Sequence, residues 1–363
     1  MNGNELLVVD SLNGLIGCEP VAVHALAEAP RALSATEALE RLSVWQADFE
    51  AAQAPATVKA VRADWGQYLD WCESAGHAPL PASVEQLAAF LTNAIDRGRK
   101  RTTINRYLYT VSLIHDAAGL ANPAKDRRWK LTWKALAKRL KASGGGFRKQ
   151  AGALVEKDVA RILATMGDDP RSLRDAALLS LASDSLLREA ELVAIKVEHL
   201  QPDAHRETWS VWVPFSKTDQ EGQGDDYRHV SAATLTRIRR WLAAADITEG
   251  YVFRPIGGRK RAEVVQAEAE CREPPVLGLT AKEVARIFRQ RAAAAGLDHA
   301  WTISGHSTRI GTANDLMRDG ASTGEIQLAG GWKGAEMVIA YTRKSRAGNN
   351  AVARLRRSNA AGD

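Results

Sequence analysis

From about residue 57 the apolar positions fall into helical steps. Val58, Val61, Trp65, Tyr68, Leu69 and Cys72 recur three or four apart and Gly76 follows, which predicts an amphipathic helix over Thr57 to Ala75. Ser83 and Glu85 ahead of Leu87, Phe90, Leu91 and Ile95 predict a second helix, and Thr102 to Ala117 a third. Lys130 to Lys141, with Trp133, Leu136 and Leu140 along one side, predicts another. No strand pattern interrupts them, so residues 36–141 read as a small helical domain. Residues 1–35 hold only short apolar runs, LLVV and VAVHALA, and read as a leader that could dock on a partner or fray as a terminus.

The stretch 142–152, ASGGGFRKQAG, marks the clearest boundary, because three consecutive glycines cannot sustain a helix. The second domain, 153–345, opens with a helix from Glu156 to Met166, a longer one from Leu173 to about Asp184, and then SLLREAELVAI. The alternating run TWSVWVPF puts Trp209, Val211 and Val213 on one face of a strand. After the loop DQEGQGDD, Tyr227 to Val230 pairs back to make a hairpin. A helix over Ala232 to Ala245, a short strand at Tyr251 to Phe253, a loop through Pro275 and a helix over Thr280 to Ala295 follow. Ser322 with Glu325 is a capping box, and Gly330 and Gly331 end the helix that it starts. MVIAYTRK is a short apolar helix, and the tail 346–363 contains AVARLRRSN, another short helix. The fold class expected is mainly α, with a small antiparallel sheet in the second domain.

Composition narrows the partners. The chain has 363 residues, 45% hydrophobic, and a formal net charge of +6, with a sequence pI near 9.2. That content excludes a largely disordered chain, and the basic balance favours a polyanion. Cations cluster where helices begin or end: Arg97, Arg99, Lys100, Arg101 and Arg106, beside the hydroxyls of Thr102 and Thr103, and Lys134, Lys138, Arg139 and Lys141. Such clusters suit phosphate contacts, and equally a solvated helix face. Cys18, Cys72 and Cys271 match no zinc or redox spacing, which fits a reducing cytosol. No apolar run is long enough to span a bilayer, and the absence of Lys or Arg before Arg31 excludes a secretory n-region, so the expected location is cytoplasmic.

The candidate chemistry concentrates in SGHSTRIGTANDLMRDGASTGEIQLAGGWKGAEMVIAY, from Ser304 to Tyr341. On a helix beginning near Gly305, His306 and Arg309 are one turn apart and share a face. A guanidinium fork fits two oxygens of one phosphate, with an imidazole beside it as donor or proton carrier. Upstream, Arg188 and Glu191 are a turn apart within an apolar segment, as in a salt bridge at the edge of the core. Lys217 sits where the first hairpin strand gives way to its turn.

Together these residues resemble the catalytic set of the tyrosine recombinases, the phage integrase family, and most of all its Cre branch. The resemblance runs from about Thr57 onward, with SGHSTR and AGGW as its most specific blocks. It implies a two-domain, C-shaped DNA clamp and a catalytic set of Arg188, Glu191, Lys217, His306, Arg309, Trp332 and Tyr341. In that scheme Tyr341 attacks the scissile phosphodiester, the arginines neutralise it, His306 assists, Trp332 walls the site and Lys217 protonates the leaving oxygen.

The resemblance further implies double-stranded DNA carrying inverted-repeat sites as partner, a homo-tetramer on two such sites, no metal, ATP or other cofactor, and exchange of the tail helix between protomers. DNA contacts are expected from Lys59, Lys100, Arg101, Thr103 and Arg106 in the first domain and from Arg148 and Lys149 in the linker. Lys282 and Arg286 of the KEVARIF helix would complete them, Lys282 as base reader or phosphate anchor. A type IB topoisomerase or telomere resolvase, or a DNA-binding protein of the same fold without chemistry, remain alternatives.

Overall fold

The computed structural model describes residues 34–145, 150–202, 208–214, 226–257, 266, 269, 270, 278–348, 350 and 352. The chain divides into two compact units, residues 1–148 and 149–363.

The first unit is helical. Helix α1 (Ala35–Ala52) begins in a capping box, Ser34 with Glu37, and among its described side chains Ala38 alone is buried. No strong apolar stripe announces this alanine-rich, largely polar helix in the sequence. Helix α2 (Pro55–Ala75) ends at Gly76, whose φ of 68° needs no Cβ. Helix α3 (Val84–Asp96) is capped by the Ser83 hydroxyl, which accepts from the Gln86 N–H at 3.1 Å. Its Leu87, Phe90, Leu91, Ala94 and Ile95 lie on one side and are buried, each large side chain contributing about 1.5–3 kcal/mol by leaving water. Helices α4 (Arg101–Ala118) and α5 (Trp129–Ala142) close the core around Tyr68, Ile104, Val111, Leu136 and Leu140. His115 is fully buried there: its Nδ1 donates to the Val111 carbonyl at 2.7 Å, leaving Nε2 to accept from the Ala82 N–H at 2.9 Å.

The second unit starts with α6 (Glu156–Leu163), which loosens into a turn before the Met166 at which the helix was expected to end. Helix α7 (Pro170–Ser185) is the core helix, with Ala177, Leu178, Leu179, Leu181 and Ala182 buried. Helix α8 (Glu189–Val193) follows after one sharp turn. Strands β1 (Leu200–Pro202), β2 (Trp209–Val213) and β3 (Asp226–Val230) form an antiparallel sheet in the order β1-β2-β3. Val211 pairs with Arg228 and Val213 with Asp226, so the β2–β3 ladder closes at Val213 and Asp226.

Helix α9 (Ala232–Ala244) lies against α7 and buries Leu235, Ile238 and Trp241. The strand expected at Tyr251 to Phe253 reduces to a single bridge between Lys196 and Tyr251. Val252 and Phe253 instead turn into the core, their backbone groups satisfied by Ile195 and Leu279. Helices α10 (Ala281–Ala294), α11 (Ser307–Arg318), α12 (Thr323–Gly330) and α13 (Ala335–Gly348) complete the unit.

Candidate active site

Close backbone packing explains the glycines of SGHSTRIG. A Cβ at Gly311 would overlap the Leu154 carbonyl, so α11 can approach that backbone only without a side chain there, and a Cβ at Gly305, just ahead of the helix, would meet the Glu189 side chain. The Leu154 N–H donates to the Ser307 carbonyl at 2.9 Å and fixes that approach. The helix begins two residues later than expected, at Ser307, which makes His306 its N-cap. His306 and Arg309 are therefore one turn apart but differ in exposure, His306 lying at the surface and Arg309 only 2% exposed.

The buried Arg309 guanidinium lies over the Trp332 ring, 4.5 Å from its centroid, and donates to the Gly330 carbonyl at 3.0 Å. Trp332 follows the end of α12, whose capping box of Ser322 and Glu325 is as the sequence predicts. Gly331 takes φ 59° there, and the Trp332 N–H turns back to the Gln327 carbonyl at 3.0 Å. The indole edge meets the Tyr341 ring at 5.9 Å and 73°.

Tyr341 is half-buried on α13, and its backbone carbonyl accepts from Asn314 at 3.1 Å and Gln150 at 3.4 Å. The Asn314 bond docks its helix on α11, and the Gln150 bond ties it to the segment before α6. Leu186, Ala313, Ile326, Trp332 and Val338 form an apolar floor beneath it.

Leu186 has φ 50°, a costly conformation for a branched side chain, and this turn delivers the next elements to the site. Arg188 caps α8, and Glu191 in its first turn reaches back to the Arg188 backbone N–H at 2.8 Å and to its guanidinium at 2.6 Å. The Glu191 side chain is 7% exposed and that of Arg188 20%. A paired, nearly buried carboxylate thus orients a partly accessible arginine.

Burial, and next the like charge of Arg188, push the pKa of Arg309 down to about 10, opposed by Glu191 and Tyr341. The guanidinium stays charged at neutral pH, and the effect of these neighbours places all four groups within one electrostatic environment. Sequence reasoning missed a fifth, Arg228 on β3, which is 8% exposed and ion-paired with Asp226. An alternating strand gives its inward positions away by pattern, but nothing in the pattern says that an inward arginine meets a turn about a hundred residues later.

Arg188, Glu191, Arg309, Trp332 and Tyr341 are thereby brought together, with His306 at the head of α11. Lys217 lies outside the described residues, as do Arg148, Lys149 and most of the tail. Among the expected DNA contacts, Lys59, Lys100 and Arg101 are exposed and Thr103 is half-buried. Arg106 is tied at 2.5 Å to Asp64, which is 2% exposed. On α10, Lys282 and Arg286 are exposed four residues apart, whereas Arg291 turns inward to Asp175 at 2.8 Å and Arg289 donates to the Ile303 carbonyl. Among the described residues no group of three or more His, Cys, Asp or Glu side chains is placed to hold a metal ion. No helix among them is long and apolar enough to cross a membrane.

The sequence pattern that defines the phage integrase family matches residues 153–347. An integrase/recombinase, a XerD homolog of Selenomonas ruminantium, is 28% identical over 313 residues, covering 83% of this chain and 86% of its own. The Cre recombinase of Escherichia phage P1 is 27% identical over 292 residues, covering 78% and 83%. Among solved structures, the XerH site-specific recombinase bound to a palindromic difH substrate shares the fold at a TM-score of 0.59 and 14% identity, covering 87% of this chain and 88% of its own. The Tn1549 transposon integrase in complex with a circular intermediate DNA does so at 0.57 and 11%, covering 84% and 94%.

Proposed function

Because the chain belongs to the phage integrase family, we propose that it is a site-specific DNA recombinase that cuts and rejoins strands through a phosphotyrosyl intermediate, with Tyr341 as nucleophile. The observation that carries this reading is the packing of buried Arg309 and the half-buried Tyr341 ring on Trp332, with the charge of Arg188 felt at Arg309.

A free tyrosine phenol, with a pKa near ~10, is a poor nucleophile at neutral pH, so the reaction needs positive charge at both the phenol and the phosphate. Arg309 and Arg188 supply it, neutralising the non-bridging oxygens as the pentacoordinate transition state forms. The Tyr341 Oη to phosphorus bond forms as the bond to the 5′-oxygen breaks. His306, exposed at the N-cap, assists by taking the proton that the Tyr341 phenol loses, or by a hydrogen bond to the phosphate while that proton passes to solvent. Lys217, four residues past the end of β2, gives its proton to the leaving oxygen. The 3′-phosphotyrosyl linkage keeps the energy of the phosphodiester, and a 5′-hydroxyl from the partner duplex reverses the step. The arginines thus do here what metal ions do in other phosphoryl transfers, with neither metal nor ATP required.

The substrate in this reading is double-stranded DNA with an inverted-repeat site, held by Lys59, Lys100, Arg101, Thr103, Arg106, Arg148, Lys149, Lys282 and Arg286. Exchange takes place in a tetramer on two such sites, with the tail 346–363 passing between protomers. The test is a nicked suicide duplex carrying the site, run on a denaturing gel with wild type and Tyr341→Phe. A covalent protein–DNA band with wild type alone supports the reading, and absence of the band on a duplex that the protein binds refutes it. Strand exchange between two sites then separates a recombinase from an enzyme that only relaxes DNA.

A further inference from the structure

The buried stripe of α2 runs Val61, Asp64, Tyr68 and Cys72, so one of its four members is an acid. The Asp64 side chain is 2% exposed, whereas that of its partner Arg106 on α4 is 51% exposed. A carboxylate in such a place costs free energy unless it is paired, and apolar side chains of similar size often serve a fold as well or better. Folding alone therefore does not account for an interior acid that holds a surface arginine.

The geometry of the pair supplies a reason. Arg106 donates from Nε to Asp64 Oδ2 at 2.5 Å and from Nη2 to Oδ1 at 2.7 Å, side-on and bidentate. Those bonds use two of the five guanidinium N–H groups and fix the plane of the fork. They leave its outer edge, Nη1 and the second Nη2 N–H, as parallel donors turned away from Asp64. Two such donors match O6 and N7 of guanine in the major groove. The rest of α4 agrees: Arg101, Thr102, Asn105, Arg106 and Tyr109 are exposed on one face, opposite the buried Ile104, Tyr107 and Val111. The helix carries no carboxylate before Asp116, and Asn and Thr, like Arg, are side chains that bond base edges. A phosphate contact would gain nothing from Asp64. A carboxylate against the guanidinium offsets the charge that attracts a phosphate, but it keeps the donor geometry that a neutral base edge needs.

We propose that Arg106 sets sequence specificity by reading one guanine from the exposed face of α4, and that Asp64 is the positioning residue that aims it. The inference rests on the reading of the chain as a site-specific DNA-binding protein with Arg106 among its contacts, and it is independent of the cleavage chemistry.

The test measures base preference. Full-length wild type, Arg106→Gln and Asp64→Asn are each used to select duplexes from a pool of random sequence. The duplex that wild type selects, and its singly altered forms, are then compared by competition binding over a range of salt, with thermal melts alongside. Wild type should prefer guanine at one position by about fivefold to 150-fold, and Arg106→Gln should lose that preference. Asp64→Asn should lose most of it while binding duplexes altered at that position as tightly as wild type or more so, because it removes a negative charge. If Arg106→Gln weakens binding to every duplex equally and lowers the slope of log affinity against log salt by about 1, Arg106 is a phosphate anchor and the inference is overturned. An unchanged guanine preference in Asp64→Asn also overturns it, as does loss of folding in either variant, which assigns the pair to the core. If wild type selects no sequence from the pool, the site-specific reading falls and the inference with it. If wild type selects one and neither variant changes the preference, the inference alone falls.

Discussion

Replacing Arg309 by methionine should slow cleavage by orders of magnitude while leaving stability almost unchanged. Among the described residues Arg309 has no carboxylate partner of its own: Glu191 is bonded to Arg188 and Asp226 to Arg228. Its protein partners are the Gly330 carbonyl and the Trp332 face. A pKa pushed down to about 10 in a group only 2% exposed corresponds to about 3 kcal/mol against the folded cation. Methionine removes that penalty and forfeits a desolvated cation–π contact of about 2 kcal/mol and one hydrogen bond of about 1 kcal/mol. The balance lies within about 1 kcal/mol of zero, and an unbranched apolar chain still covers the indole.

Function goes the other way. A preorganised donor to a developing oxyanion contributes about 3–4 kcal/mol, so cleavage should fall by about 10²–10³-fold. Denaturant melts of the two proteins and single-turnover cleavage of the suicide duplex measure the two halves separately. A loss of stability of about 3 kcal/mol or more, as for breaking a buried ion pair, would show that Arg309 serves the fold. Cleavage near the wild-type rate would show that the phosphate is held elsewhere.

Other expectations concern pH and DNA contact. Burial lowers the pKa of His115 below the ordinary value near ~6.5, so between those two values the unfolded chain binds the additional proton. Stability of the first unit should therefore be complete above about pH 6.5 and fall as the pH drops below it, and acid melts of His115→Gln should lose that slope. An unchanged slope would assign the acid sensitivity to other groups. Lys282→Ala should weaken binding to the recombination site by about 1–3 kcal/mol and relax discrimination at one base pair, which competition binding with singly altered sites would detect. Arg286→Ala should weaken binding to all sequences equally and reduce the slope of log affinity against log salt by about 1. A base-specific effect of Arg286 would reverse these two roles.

Local features of this chain were legible because the residues that make them are neighbours. The capping box of Ser322 and Glu325, the stripe of α3 and the one-turn spacing of His306 and Arg309 each lie within a few residues. Exposure was not legible in the same way. Three residues fix the angle between His306 and Arg309, but which of them is left in water and which is buried depends on Gly311 meeting Leu154 from a distant segment. The same limit hid the inward turn of Arg291, whose partner Asp175 is on α7. The expected strand at Tyr251 failed for a related reason: β-branched and aromatic residues mark burial as well as strands, and here Val252 and Phe253 are core.

The arrangement of charge follows from how the site is assembled. Its groups come from the α7–α8 turn, strand β3, the start of α11, the end of α12 and the middle of α13, so no single element carries enough of them to hold a phosphate. Three arginines face two carboxylates, and the pairings are local: Arg188 with Glu191 on one helical turn, Arg228 with Asp226 on one strand. Arg309 has no such local partner, and among the described residues no carboxylate is bonded to it. A phosphodiester would supply that anion where burial makes each contact strongest. DNA should therefore stabilise the second unit beyond what surface phosphate contacts give, and Arg309→Met should lose that excess while keeping the contacts of Lys282 and Arg286. Thermal shifts with a duplex that cannot be cleaved would measure it, and an equal shift in both proteins would count against Arg309 as the seat of the phosphate.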